Sequence, residues 1–216
     1  MVSTDTPDAD PSIPNGPGGG VEGNARLTGT TGAVLFVVLA VEGITILQVK
    51  QLISVHVFVG MLLVPLVVLK SATTGYRFAH YYAGDPPYAR KGPPPPVLRF
   101  TGPLLVLDSL AVLGTGIALV AFGRNVGHQY LWLHKATFFL WAALFVIHLL
   151  GHLVETPGLA AADWKERGGR GRTASLPGAR SRLRLLGVTI AVGIVLGIVS
   201  LGWIGTWHHI GDFGRG

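Results

Sequence analysis

The chain has 216 residues, of which 49% are hydrophobic and 13% charged, with a formal net charge of +6 and a mean hydropathy of +0.50. A soluble domain carries about 25% charged residues, so this composition belongs to an integral membrane protein. It has no cysteine, which excludes disulfides, thiolate zinc sites, cysteine-ligated iron–sulfur clusters and covalent c-type haem attachment. The basic balance does not point to nucleic acid, because the cationic residues gather in loops beside apolar runs.

Residues 1–26 are rich in Pro, Gly, Ser, Thr and Asp and read as a disordered cytoplasmic tail. They lack the basic start and apolar core of a cleavable signal peptide. Five apolar runs follow, each near the length that crosses about 30 Å of hydrocarbon. They are expected at Leu27–Val49, Leu52–Thr73, Val97–Phe122, Tyr130–Leu153 and Leu183–Trp207. Pro103 falls near the start of the third, where proline is tolerated. Between the second and third, Gly75 to Pro96 reads as a stiff extended loop because of Asp85-Pro86-Pro87 and Pro93 to Pro96. Residues 156–182, rich in Arg and Gly, read as a mobile basic cytoplasmic loop, and 208–216 as a short outer tail.

The expected fold is an all-α integral membrane bundle: a four-helix core over 27–155 and a fifth transmembrane helix over 183–207. An odd number of spans puts twelve Lys and Arg on the side of the N-tail and the loops after spans two and four. The other side has four: Lys50, Arg124, Lys135 and Arg215. The positive-inside rule then places the N-terminus in the cytoplasm and the C-terminus outside.

Histidines inside the spans carry the chemistry. An ionisable residue in lipid is a functional-site hypothesis by default. His56 and His134 each fall about one turn into their span from the outer side, so their imidazoles share a depth. Neutral imidazole is a preferred axial ligand of haem iron, and one ligand from each of two helices at one level suits a macrocycle standing between them. Gly60, one turn deeper than His56, removes bulk on the same face. Two interfacial histidines reaching headgroups are the competing reading. His148 lies fourteen residues after His134, about 21 Å along a helix and within roughly 40° of the same face. His148 and His152 form an i,i+4 pair, open to an inner haem, a metal pair with Glu155, or interhelical hydrogen bonds. On span two the matching inner position is Lys70 rather than a histidine, and His80 follows either on a continued helix or in a loop folded back at Gly75.

Two carboxylates also lie within spans, Asp108 and Glu42. Asp108 shares a depth with Lys70, and an ion pair between them is expected. Glu42 lies near the level of His56 and is placed to orient that ring through its other nitrogen. Arg77, Arg99, Arg124 and Lys135 are candidate propionate partners. Gly193-Ile-Val-Leu-Gly197 in span five permits close helix contact. Trp132, Trp141, Trp203 and Trp207 partly follow the interfacial aromatic pattern. Gly114-Thr-Gly116 sits inside an apolar span and lacks the setting of a dinucleotide site.

Gly43, His56-Val-Phe-Val-Gly60, Leu133-His134-Lys135 and His148-Leu-Leu-Gly-His152 together resemble the bacterial membrane b-type cytochromes, of the cytochrome b561 and hydrogenase cytochrome subunit kind. The resemblance covers roughly Ala25 to Glu155 and leaves span five outside. It implies a four-helix bundle in the cell membrane with bis-histidine haem b, one or two per chain. His56 and His134 match the outer pair, and His148 or His152 matches half of an inner pair. The implied activity is electron transfer between quinone and a redox partner protein, as a subunit rather than a self-contained enzyme. Lys70 departs from the pattern. The alternative is a haem-free membrane scaffold or small transporter whose Glu42, Lys70, Asp108 and His148 form a polar network or a proton route.

Overall fold

The computed structural model describes residues 20–90, 92, 96–122, 127–167 and 178–204, the side chains of 127, 128 and 152–167 excepted. The described residues form an all-α bundle: α1 (Gly20–Leu47), α2 (Val49–Tyr82), α3 (Pro86–Arg90), α4 (Pro96–Phe122), α5 (Gly127–Arg167) and α6 (Ala179–Ile204). All but α3 contain a stretch long and apolar enough to cross a membrane. Large apolar side chains such as Val37, Phe139 and Leu183 face outward, as lipid solvent allows. Of the disordered tail expected over 1–26, residues 20–26 are instead the first two turns of α1; 1–19 and the outer tail at 208–216 lie outside the described residues.

The central mast is α2. It packs against α1, α6 and, less extensively, α4, while α5 packs chiefly on α4. The core is a cluster of Leu35, Leu63, Leu66 and Leu186, one residue from α1, two from α2 and one from α6. The fifth span therefore belongs to the bundle rather than standing outside it. Glycine makes this contact possible. A Cβ on Gly193 would lie 2.7 Å from Leu62 Cδ1 and 2.9 Å from Leu62 O, and one on Gly197 would lie 2.6 Å from Phe58 Cδ2. In lipid no hydrophobic force drives helices together, so close backbone approach through small residues supplies the packing.

Registry between α1 and α2 is set by a one-residue turn at Gln48, whose carbonyl accepts the N–H groups of Gln51 and Leu52. The two helices then run antiparallel. Glu42 meets His56 near the turn. Fourteen residues along each chain, Lys70 Nζ donates to Thr28 O at 2.8 Å. The expected Lys70–Asp108 ion pair is not formed. Equal depth did not fix rotation: Lys70 faces α1, where Gly32 leaves a notch whose added Cβ would sit 3.1 Å from Nζ.

The segment expected as an extended loop is largely helical. α2 continues through Gly75 to Tyr82, carried by side-chain pairs one turn apart: Tyr76 with His80 (centroids 3.9 Å) and Phe78 with Tyr82 (4.5 Å). His80 accordingly lies on the continued helix, its Nδ1 2.9 Å from Tyr76 O. Gly84, at φ 77°, turns the chain. Pro86 then opens α3, a position where its missing N–H costs nothing. Tyr88 of α3 packs on Tyr76 and His80. Burial, followed by its contacts with Tyr76 and Asp85, pushes the Tyr88 phenol up from its ordinary value. Beyond the fourth span, the backbone of α5 stays helical to Arg167, through part of the expected mobile loop. The run Leu159-Ala-Ala-Ala162 has high helix propensity.

Replacing Gly197 by Leu should separate α6 from α2. Overpacking of this kind costs about 1–3 kcal/mol. The loss should be read as a lower unfolding midpoint in mixed detergent, with Gly202→Leu, whose Cβ would meet nothing within 4 Å, as the near-neutral control.

Candidate functional site

Toward the end of the bundle that holds Gln48, α2 and α5 stand apart and flank a half-open cavity of about 320 Å³. Its walls are overwhelmingly apolar. They include Leu39 of α1, Val57 and Val64 of α2, Val112 and Leu113 of α4, Phe138 of α5 and Ile204 of α6. Such a volume falls within the range of small-molecule and cofactor sites. Gly43, Gly60 and Gly116 leave parts of the wall bare.

His56 and His134 face each other here, with ring centroids 6.4 Å apart and planes at 75°. Each ring is anchored through Nδ1. His56 Nδ1 lies 2.9 Å from Glu42 Oε1 and 3.2 Å from Thr45 Oγ1. The same threonine has the Glu42 carbonyl at 2.7 Å and Oε2 at 3.1 Å within reach of its one hydroxyl hydrogen. His134 Nδ1 lies 3.0 Å from Val112 O and 3.1 Å from Thr115 Oγ1. A carbonyl can only accept, so the Val112 contact puts the hydrogen on Nδ1 and the lone pair on Nε2. A Glu42 carboxylate likewise accepts from His56 Nδ1–H. Among the described residues, neither Nε2 has a hydrogen-bond partner.

Two rings anchored through Nδ1 beside an apolar cavity would offer Nε2 to a metal-bearing group, and their centroid separation of 6.4 Å is compatible with one ion between them. No group of three or more His, Asp or Glu able to hold a bare ion occurs among the described residues. A group that brings its own nitrogen donors, and would need only His56 and His134 from the protein, fits this donor set. Orientation of each ligating imidazole by a second partner on its other nitrogen is the usual companion of such ligation.

The remaining candidates fall elsewhere. His148 Nδ1 lies 3.4 Å from Thr101 Oγ1, away from the cavity, and Lys70 on α2 is turned to α1. The side chain of His152 lies outside the described residues, as does Arg124. Gly60 lines the cavity, and a Cβ there would lie 3.5 Å from Glu42 Oε1. Of the propionate candidates, Lys135 lines the cavity. Arg99, over the Tyr82 ring at 5.2 Å, and Arg77, near Tyr76, lie at the opposite end. Trp141 is a cavity wall rather than an interfacial anchor, donating Nε1–H to Ser109 Oγ at 2.9 Å.

Sequence reasoning missed Thr45, Thr115, the Val112 carbonyl and Gly116. A Cβ on Gly116 would lie 3.1 Å from His134 Cε1, so a larger residue there displaces the ring. One signal was present. Thr101 and Thr115 repeat the fourteen-residue spacing of His148 and His134, as an antiparallel partner helix requires. No family model, curated protein or solved structure matches the chain.

The Trp141–Ser109 bond should be measurable by a double-mutant cycle. Trp141→Phe and Ser109→Ala in the full chain should couple by about 0.6 kcal/mol, the mean for side-chain hydrogen bonds between membrane helices, in unfolding from detergent.

Proposed function

We propose that this protein is a membrane-embedded b-type cytochrome that passes electrons through one haem b held between His56 and His134. The carrying observation is the pair of Nδ1-anchored rings whose separation suits one ion between two bare Nε2 atoms. The haem would supply one-electron redox chemistry. The chain's part is to bind, orient and shield. Glu42 and Thr45 fix one ring, Val112 O and Thr115 the other, and the apolar walls exclude water. Gly116 and Gly60 keep bulk away from the macrocycle's edge, and Lys135 is placed for a propionate. The Lys and Arg distribution supports putting the N-terminus inside and this site near the outer face. Quinone is the lipid-soluble exchange partner, and a redox protein the second.

Among the described residues no second facing histidine pair stands at the level of His148, so one haem per chain is proposed, with two as the other stoichiometry. Purified full-length protein should show sharp reduced-minus-oxidised α and Soret bands at one haem per chain. His56→Ala and His134→Ala should each abolish them. Gly116→Leu, which keeps both histidines but crowds the His134 ring, should do the same. Glu42→Gln should weaken haem retention about 10–100-fold, as loss of an orienting partner does. A colourless protein contradicts the proposal and leaves a haem-free scaffold; full haem content in either alanine variant contradicts the ligand assignment.

A further inference from the structure

The interface between α4 and α5 carries polar groups at heptad spacing on both helices. Thr101, Asp108 and Thr115 lie on one face of α4, and His134, Trp141 and His148 on the facing side of α5. Seven residues advance about 10.5 Å and drift only about 20° around the helix, so each set forms one stripe. The two stripes are in register. Thr115 meets His134 at 3.1 Å, Ser109 beside Asp108 meets Trp141 at 2.9 Å, and Thr101 meets His148 at 3.4 Å. A polar seam therefore runs about 21 Å through an otherwise apolar bundle.

Asp108 is its odd member. The residue is 8% exposed, and its Oδ2 is a buried oxygen with no hydrogen-bond partner among the described residues. Helix glue does not explain it. Polar side chains that only bind helices together in lipid are hydrogen-bonded to one another, as Ser109 and Trp141 are. The charged or titratable groups on the elements packed around it are engaged elsewhere: His134 and His148 on α5 meet Thr115 and Thr101, a heptad to either side, Lys70 on α2 shares its level but bonds Thr28 O of α1, and Glu42 on α1 is bound to His56. α6 has no charged residue between Arg184 and Ile204. Ser109, its chain neighbour, lines the cavity.

We propose that the α4–α5 seam is a proton path from the inner side to the cavity, with Asp108 as its mid-membrane carrier. The carboxyl takes a proton from the Thr101–His148 end and gives it up toward Ser109 and the cavity. It is charged in one state and neutral in the other, and water entering between polar stations completes the links. Chains of this composition are how protons cross hydrocarbon. The proposal deepens the cytochrome reading: an electron arriving in a water-poor cavity is compensated by a proton drawn through the seam. The path itself does not depend on haem.

Two measurements on the full-length protein in liposomes test it and separate it from that reading. The first needs no haem. Infrared spectra, with Asp108→Asn as the assignment, should show a protonated-carboxyl C=O stretch that shifts within minutes of transfer to D₂O. Thr101→Val with His148→Phe should slow that shift at least tenfold. Absence of the band, absence of exchange, or exchange untouched by the inner substitutions overturns the path. The second uses the haem-loaded protein. Its midpoint potential should fall with pH toward the full-coupling limit of about 59 mV for each tenfold change in proton concentration, for one electron. Asp108→Asn should lose at least half of that slope while keeping the α band. An unchanged slope overturns the coupling. A protein with no α band but normal exchange overturns the cytochrome reading and leaves the path standing.

Discussion

Everything at the site depends on Nδ1 of two imidazoles being occupied. Glu42 holds one and the Val112 carbonyl the other, and each contact fixes the rotation of its ring. An imidazole free to rotate in an apolar cavity would turn its lone pair toward whatever polar group it found. Here both are pinned through Nδ1, which leaves Nε2 as the nitrogen each ring can offer. Fixing a ring in this way is the basis of preorganisation: a ligand would collect interactions without first ordering the groups that make them.

The bundle explains how such a gap survives in a lipid-soluble fold. Its tight contacts are on the other side of α2, where glycines of α6 bring two backbones together at Leu62 and Phe58. Registry of α1 is set by the Gln48 turn and repeated at Lys70 and Thr28. Held on those two flanks, α2 need not close on α5, and α5 takes its support from α4 through the polar seam. The Glu42–His56 contact and the seam are therefore parts of one design. The first fixes a ring on the mast, and the second fixes its counterpart on the periphery.

Depth was readable from the chain and rotation was not. Hydropathy found five spans because lipid permits few alternatives, and span ends put His56, His134 and Glu42 on one level. Lys70 and Asp108 also share a level. Yet nothing in depth says whether a side chain on α2 looks toward α1 or α4, and Lys70 took a backbone carbonyl of α1 that no sequence pattern advertises. Likewise the Gly193–Gly197 spacing announced a close contact without naming its partner. The prolines that suggested an extended loop lie beyond Tyr82, and Gly75 does not end α2; the two aromatic pairs that follow it offset much of glycine's penalty of about 1 kcal/mol. Gly116 was passed over because its neighbours suggested only a dinucleotide motif in the wrong setting. What marks it is proximity to a histidine eighteen residues on, which the pairing of α4 with α5 creates.

Axial ligation is the point where this account is most exposed. Near-infrared magnetic circular dichroism of the oxidised, purified full-length protein distinguishes bis-imidazole haem from haem with an amine, thioether or water ligand. The anchored pair predicts the bis-imidazole charge-transfer band as the sole low-spin signal. A histidine–amine band, a high-spin signal, or a preparation with no iron at all would contradict it.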